Sequence, residues 1–136
     1  MARKRSTVRP TEAELAILDV LWDAGPSTVR QVHETFRRKR KARTGYTTVL
    51  KLMQIMAHKG LVQRDESRRS HVYAPTCTRD TTRRGIVGEL IERAFSGSTS
   101  QLVLSALSAK RASAEELAAI REFLDQQAAT GKRAKS

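Results

Sequence analysis

Cysteine, aromatic residues and long apolar runs are all scarce in this sequence of 136 residues. The one cysteine, Cys77, has no second cysteine for an internal disulfide and no neighbour at metal-ligand spacing. No apolar run approaches the roughly 20 residues that span a bilayer, and none follows the basic start MARKRSTVRP. These absences predict a cytoplasmic protein with no membrane insertion, no metal and no cofactor.

Negative charge is also in short supply. The chain has 26 Lys and Arg against 14 Asp and Glu, a formal net charge of +12. Residues 1–74 have a net charge of +9, whereas residues 75–136 have +3. A field of this sign favours a polyanion, either nucleic acid or an anionic membrane surface. We therefore expect the N-terminal half to contact that partner.

Glycine and proline are few, with 7 and 3 residues, and the sequence between them is rich in helix formers. The first predicted helix begins at Thr11, which has the capping-box spacing to Glu14, and it ends at Gly25-Pro26. The second begins at Thr28 and runs into the basic string Arg37–Arg43. Between them, Pro26–Thr28 is short and extended enough for an edge strand. The residues predicted to be buried are Leu15, Leu18, Leu21, Trp22, Val29, Val32 and Phe36.

A third helix is predicted in the stretch GYTTVLKLMQIMAHKG, residues 45–60. Its apolar residues recur at i, i+3, i+4 and i+7, which places them on one face; they are Val49, Leu52, Met53 and Met56. Two β-prone runs follow, Leu61–Arg64 and His71–Ala74, joined by the charged connection Asp65–Ser70. Three helices and a basic-tipped hairpin predict a winged helix-turn-helix over residues 11–75.

The polar face of the third helix is the candidate DNA-binding surface. In this fold that helix enters the major groove, while the hairpin approaches the backbone or the minor groove. Thr47 and Thr48 suit phosphates or thymine methyls, and Lys51 and Gln54 are long enough to reach base edges. Arg68 and Arg69 lie at the predicted wing tip. The Arg37–Arg43 run has two readings, a contact with the DNA backbone or a solvated loop.

The C-terminal third contains three further apolar stripes at helical spacing, in residues 76–127. Helices this short cannot close a core of their own, so pairing with a second copy is the economical solution. The alternative is that they fold back on the winged domain in a larger monomer. The predicted dimerisation residues are Val87, Leu90, Ile91, Leu102, Val103, Leu104, Leu107, Leu117, Ile120 and Leu124.

The predicted fold class is therefore mainly α with a small β-wing. An N-terminal winged helix-turn-helix is followed by a C-terminal three-helix dimerisation segment, with basic tails at residues 1–10 and 128–136. The chain ends in the polar, basic stretch ATGKRAKS, which is predicted to be disordered.

Other functions fit the sequence less well. A small basic RNA-binding protein would share the charge, but such proteins usually stack exposed aromatics on bases, and this chain has one Trp, two Tyr and three Phe. An enzyme would need a reactive constellation, and His33, His58 and His71 have no partners at a catalytic spacing. We therefore predict a DNA-binding protein and not an enzyme.

The sequence also resembles the penicillinase-repressor (BlaI/MecI) family of bacterial transcription repressors, from about residue 11 to residue 127. The most specific segments are TEAELAILDVLW, TVRQVHETF, GYTTVLKLMQIMAHKGLV and HVYAP. The resemblance implies a homodimer that binds a palindromic operator and represses genes for antibiotic resistance or other stress responses. It implies operator contacts by Thr47, Thr48 and Lys51. Leu50 and Ile55 stand where the best-known members carry basic residues, so the resemblance does not imply the operator sequence.

The resemblance further implies how repression ends. In such proteins a membrane sensor with a metalloprotease domain triggers cleavage within the C-terminal region, in a segment that aligns with SQLVLSAL. By alignment the cut falls between Ser105 and Ala106, where the best-known members have Asn-Phe. The other interpretation of this segment is a dimer-core helix with no protease role. Copper-sensing relatives need a C-terminal cysteine cluster, which Cys77 alone does not provide. We expect induction by proteolysis or dimer dissociation, without a small-molecule or metal ligand.

Overall fold

The computed structural model describes residues 9–39 and 44–135, with side chains through residue 131. This part of the chain forms six helices and two strands: α1 (Glu12–Ala24), α2 (Val29–Lys39), α3 (Tyr46–Lys59), β1 (Val62–Asp65), β2 (Val72–Pro75), α4 (Arg79–Ala94), α5 (Thr99–Ala109) and α6 (Ala114–Lys135). The order confirms the predicted fold class, a mainly α chain with a small β-wing. Residues 1–8 of the N-terminal tail and residues 40–43 of the basic run lie outside the described residues.

Local capping signals determine where the first two helices begin. The backbone N–H of Glu14 donates to Thr11 Oγ1 at 3.2 Å, and the N–H of Thr11 donates to Glu14 Oε1 at 2.9 Å. Thr28 and Gln31 make the same reciprocal pair at 3.2 and 2.8 Å. Helix α1 ends at Gly25, whose φ of 87° is accessible without strain only to a residue lacking Cβ. These boundaries confirm the predicted ones.

The core lies between α1, α2, α3 and the hairpin. Its buried apolar residues are Ile17, Leu18, Val20, Leu21, Val29, Val32, Phe36, Val49, Met53, Met56, Val62 and Tyr73. Three predicted core residues, Leu15, Trp22 and Leu52, are only half-buried. Trp22 lies at the edge of the core, where its indole N–H donates to the Cys77 carbonyl at 2.9 Å. Because the indole nitrogen needs a partner, the edge suits this residue better than the centre.

The wing is a two-stranded antiparallel hairpin in which Val62 pairs with Pro75 and Asp65 with Val72. Both strands begin and end one residue later than predicted. The predicted edge strand at Pro26–Thr28 is reduced to a single bridge, in which Ser27 and Tyr73 exchange backbone hydrogen bonds of 3.0 and 2.8 Å. It cannot extend because Pro26 has no N–H and Thr28 already caps α2.

A buried ion pair joins the beginning of α1 to the end of α3. Glu14 is 2% exposed, and both of its carboxylate oxygens accept hydrogen bonds of 2.9 Å from Lys59 Nζ. The same carboxylate closes the capping box with Thr11. An acidic residue in a first turn and a basic one in a last turn are also favoured by the two helix dipoles. One side chain therefore stabilises both a helix end and a tertiary contact.

Helix α4 is attached to α1 through its first residue. Arg79 Nη2 donates to Asp23 Oδ1 at 2.8 Å and to the Asp19 carbonyl at 3.3 Å, and its guanidinium lies 5.3 Å from the Trp22 ring centroid. The hydrogen bond and charge of Arg79 lower the pKa of Asp23. This cluster fixes the start of α4 on α1.

The chain divides into two compact units, Met1–Glu89 and Leu90–Ser136. In the second unit, Ser98 caps α5, with Gln101 N donating to its hydroxyl at 3.2 Å, and Ser113 and Glu116 form a capping box before α6. The prediction of a disordered tail is wrong through Lys135, because α6 continues to that residue. Alanine, lysine and arginine are strong helix formers, and each adds a hydrogen bond to an existing helix. Among the residues described, no helix is both long and apolar enough to cross a membrane.

The Glu14–Lys59 pair gives a stability prediction. Glu14→Gln keeps an oxygen for the capping box but leaves the half-buried Lys59 ammonium without a counter-charge, so we expect a loss of about 1–3 kcal/mol in the free energy of unfolding. Glu12→Gln removes the same charge from an exposed position in the same turn and should change stability by less than about 0.5 kcal/mol. Urea unfolding at one protein concentration measures both, and equal stabilities for the two variants would contradict the role given to the pair.

Candidate nucleic-acid interface

Helix α3 presents a polar face to solvent because its apolar face is used by the core. Val49, Met53 and Met56 are fully buried. The predicted contact residues lie on the opposite side and are all exposed; they are Thr47, Thr48, Lys51 and Gln54. The helix thus offers two short hydroxyl side chains in its first turn, followed by a lysine and a glutamine.

The first residue of α3 packs against α2. The rings of Tyr46 and His33 meet edge to face, with centroids 5.9 Å apart and an interplanar angle of 87°. Tyr46 is still 46% exposed, so its ring borders the polar face as well as supporting the helix. At the other end, Gly60 adopts the left-handed conformation with φ of 86° and turns the chain into β1. Both ends of α3 are therefore held by their surroundings.

A groove separates α3 from the wing and brings some of the predicted residues together. Gln54 of α3 and Arg69 of the wing line the same groove. Its other lining residues are Thr28, Val29, Arg30, Tyr46, Leu50, Arg64, Ser70, His71 and Tyr73. Thr47, Thr48 and Lys51 lie on the exposed face of α3 outside this lining, and Arg68 is exposed in the connection between the strands. Of the predicted residues, Gln54 and Arg69 therefore lie in one groove, and the others lie outside its lining.

Sequence reasoning missed two groove arginines, Arg30 and Arg64. Arg30 stands in the first turn of α2, where the pattern marks only a polar position. Arg64 is next to an acidic residue in β1 and reads as an ordinary surface strand residue. Strand alternation was the available signal, because Val62 and Arg64 must project from the same face and Val62 is buried.

Arg64 is the groove arginine with the most defined surroundings. It lies opposite Tyr73 in the hairpin, and its Nε donates to Glu66 Oε2 at 2.7 Å. Hydrogen bonds with Tyr73 and then with Glu66 raise the pKa of Arg64. In the same hairpin, Asp65 accepts the backbone N–H of Ser67 at 2.9 Å, which lowers the pKa of Asp65. Both groups are therefore charged over the range in which proteins bind DNA.

The predicted dimerisation residues lie on α4, α5 and α6. Val87, Leu90, Val103, Leu104 and Leu124 are between 37% and 59% exposed. The others are half-buried: Ile91, Leu102, Leu107, Leu117 and Ile120. Ser105 and Ala106 are exposed in the middle of α5. Helices α4 and α5 contain no buried residue, so their apolar side chains remain largely accessible in this chain.

The described residues offer no cluster of metal ligands and one exposed thiol. Cys77 is exposed and is a free thiol, not part of a disulfide. Within residues 9–39 and 44–135, no group of three or more His, Cys, Asp or Glu side chains is placed to hold a metal ion. The arrangement that the chain does offer is a helix face and a basic hairpin on either side of a groove.

Comparison with known proteins agrees with this arrangement. The family model for the penicillinase repressor matches residues 10–126. The transcriptional regulator BlaI of Mycobacterium tuberculosis, from strain CDC 1551 / Oshkosh and from strain ATCC 25618 / H37Rv, is 35% identical over 114 residues, which covers 83% of this chain and 80% of the relative. These matches confirm the resemblance found in the sequence and the prediction that the chain is not an enzyme. The chain belongs to the penicillinase repressor family of transcriptional regulators.

Proposed function

We propose that this protein is a cytoplasmic DNA-binding repressor that acts as a homodimer on an inverted-repeat operator. The observation that carries the proposal is the polar face of α3, exposed beside a basic hairpin while the opposite face is buried in the core. Membership of the penicillinase repressor family supports the same conclusion. The formal net charge of +12 favours a polyanionic partner.

The dimensions of α3 suit the major groove of B-DNA, which admits one α-helix. We assign base reading to Lys51 and Gln54, whose side chains can reach guanine and adenine edges from one helix face. Thr47 and Thr48 are assigned to phosphates or thymine methyls at the start of the helix. Because Gln54 and Arg69 line one groove, a duplex that meets α3 also meets the wing.

The wing arginines have a different task in this proposal. Arg68 and Arg69 are exposed in the connection between β1 and β2 and do not belong to α3. We assign them to phosphates or to the minor groove. Such contacts raise affinity for every sequence and make it depend steeply on salt, because each neutralised phosphate releases counterions.

A second copy of the chain is the proposed cover for the apolar side chains of α4, α5 and α6. Leu104 and Leu124 are 59% and 56% exposed, and covering the exposed part of each contributes about 1–2 kcal/mol, a fraction of the value for full burial. A two-fold dimer presents two copies of α3, and its operator must then have two-fold symmetry. Half-sites separated by about one helical turn, or a multiple of it, follow from this symmetry.

Relief of repression is proposed to act on the dimer. Severing a winged domain from its partner removes the second half-site and with it the gain from effective concentration. Ser105 and Ala106 are solvent-accessible, which favours a cut there by a protease under the control of a membrane sensor metalloprotease. They also lie within a regular helix, so α5 must unwind locally before a protease can bind the bond. Dissociation of the dimer without cleavage is the other route.

The DNA contacts can be tested by single substitutions. Lys51→Ala should cost roughly 1–3 kcal/mol on the operator and relax sequence preference, because a lost base contact affects the cognate sequence most. Arg68→Ala should weaken operator and random duplexes by the same factor and reduce the salt slope by about 0.9 per phosphate contact. Lys110→Ala, at an exposed lysine outside α3 and the wing, is the control. Binding isotherms at several salt concentrations decide, and equal losses on both duplexes for Lys51→Ala would remove its base-reading role.

The dimer can be tested by placing charge on its proposed interface. Leu90→Lys or Leu104→Lys should weaken self-association by on the order of 2–4 kcal/mol, because a lysine at a well-packed interface must be desolvated. The variants should sediment as monomers and bind the operator far more weakly than the wild type. Leu104→Met keeps an apolar side chain and should remain dimeric. An unchanged sedimentation coefficient for both lysine variants would rule out this interface.

Induction can be followed in the host cell. We expect the full-length protein either to be cut near Ser105 or to leave the operator as monomers, with no bound small molecule or metal. Immunoblots during induction measure the intact chain. Derepression with all of the protein intact would eliminate cleavage, and a small ligand that changes DNA affinity of the purified protein would overturn both routes.

A further inference from the structure

Arg64 faces the groove between α3 and the wing. It pairs across the hairpin with Tyr73, and directly opposite residues of an antiparallel pair project from the same face. Tyr73 is 1% exposed, so that face is the inner one, turned towards the core. The Arg64 guanidinium emerges at the edge of the core, in the same groove as Gln54 and Arg69. It therefore lies among the residues assigned to DNA, although sequence reasoning did not include it.

In this chain the Arg64 guanidinium is already bonded to the carboxylate of Glu66. Arg64 Nε donates to Glu66 Oε2 at 2.7 Å, and Nη2 contacts the same oxygen. The side chains of Arg64 and Glu66 are 34% and 53% exposed, so the pair is at the protein surface and not inside the core. A carboxylate held by Nε and Nη2 takes one of the two edges with which arginine can bind a phosphate through paired hydrogen bonds.

The strength of the pair suits a contact that can be exchanged. Exposed ion pairs are weak, too weak to hold Arg64 against a well-placed phosphate but enough to reduce its affinity for one. Arg64 lies directly opposite the buried Tyr73 in the hairpin, so its backbone position at the groove is the same whichever anion its side chain binds. The Arg64 guanidinium therefore lies at the groove in the absence of DNA, bonded to Glu66.

We propose that Arg64 binds a DNA phosphate and that Glu66 is an internal competitor, which holds Arg64 in the free protein and must be displaced when the duplex docks. This inference rests on the proposed function, because it requires DNA to lie against α3 and the wing. Its consequence is a lower affinity for DNA of any sequence. A chain with a net charge of +12 binds polyanions readily, and a built-in competitor restrains that tendency.

The neighbouring residue supplies a matched control. Asp65 carries the same charge, but strand alternation turns its side chain to the other face of β1. Its carboxylate accepts the Ser67 N–H and has no hydrogen bond with Arg64. The bond from Ser67, and to a lesser extent the charge of Arg68, lower the pKa of Asp65. Asp65→Asn therefore removes one negative charge from the same hairpin, keeps an acceptor for Ser67 and leaves the Arg64–Glu66 pair intact.

The experiment uses the full chain and a random-sequence duplex of about 24 base pairs, titrated by fluorescence anisotropy between roughly 50 and 200 mM salt. Glu66→Gln should bind about 1.5- to 5-fold tighter per protomer than Asp65→Asn, which is the fold-change for an exposed ion pair of 0.2–1 kcal/mol. Its salt slope should match that of Asp65→Asn, because Arg64 neutralises the same phosphate in both complexes. In an Arg64→Ala background the two acidic substitutions should become equivalent.

The outcomes separate the inference from the function on which it rests. Equal affinities for Glu66→Gln and Asp65→Asn in the wild-type background would overturn the competitor role. An advantage of Glu66→Gln that persists with Arg64→Ala would also overturn it, since the effect would then be general electrostatics. If the wild-type chain shows no salt-dependent binding to the duplex, the proposed function itself fails.

Discussion

Burial of the apolar stripe of α3 is the constraint on which the rest of the structure depends. Val49, Met53 and Met56 are fully buried against α1, α2 and the hairpin, and this fixes the rotation of the helix about its axis. A rotation by one residue, about 100°, would expose a methionine and bury a polar side chain without a partner. The outward direction of Lys51 and Gln54 is thus a product of hydrophobic packing. This polar face has no other support, so core mutations that rotate α3 should also change the direction of Lys51 and Gln54.

Those parts of the fold that depend on neighbours in sequence were predictable. The pairs Thr11–Glu14 and Thr28–Gln31 are three residues apart, so the spacing alone predicts their hydrogen bonds, and the α3 stripe follows from helical period. Contacts between distant residues were not predictable in this way. Lys59 lies 45 residues from Glu14, and nothing local indicates that a lysine in a last turn meets the cap of another helix. Arg64 was missed for a related reason, because its direction depends on pairing with Tyr73.

The C-terminal tail shows the opposite error, in which composition outweighed local propensity. A polar, basic end resembles a disordered tail, yet α6 continues through it to Lys135. An existing helix extends at low cost, because the unfavourable nucleation step has been taken by the capping box at Ser113 and Glu116. The assignment of the DNA-contacting and dimerisation residues remains a prediction, since it concerns molecules that a single chain does not contain.

The environment of Trp22 allows the junction between α1 and α4 to be followed by intrinsic tryptophan fluorescence. It is the one tryptophan in the sequence, its indole N–H is bonded to the Cys77 carbonyl, and the Arg79 guanidinium lies over its ring. Indole emission responds to solvent access and to a nearby cation. The tryptophan emission of this protein therefore reports on the contact between α1 and the start of α4. Loosening of that attachment would change the emission spectrum while the secondary structure stayed the same. The junction can therefore be observed in the unlabelled protein, separately from the unfolding of either helix.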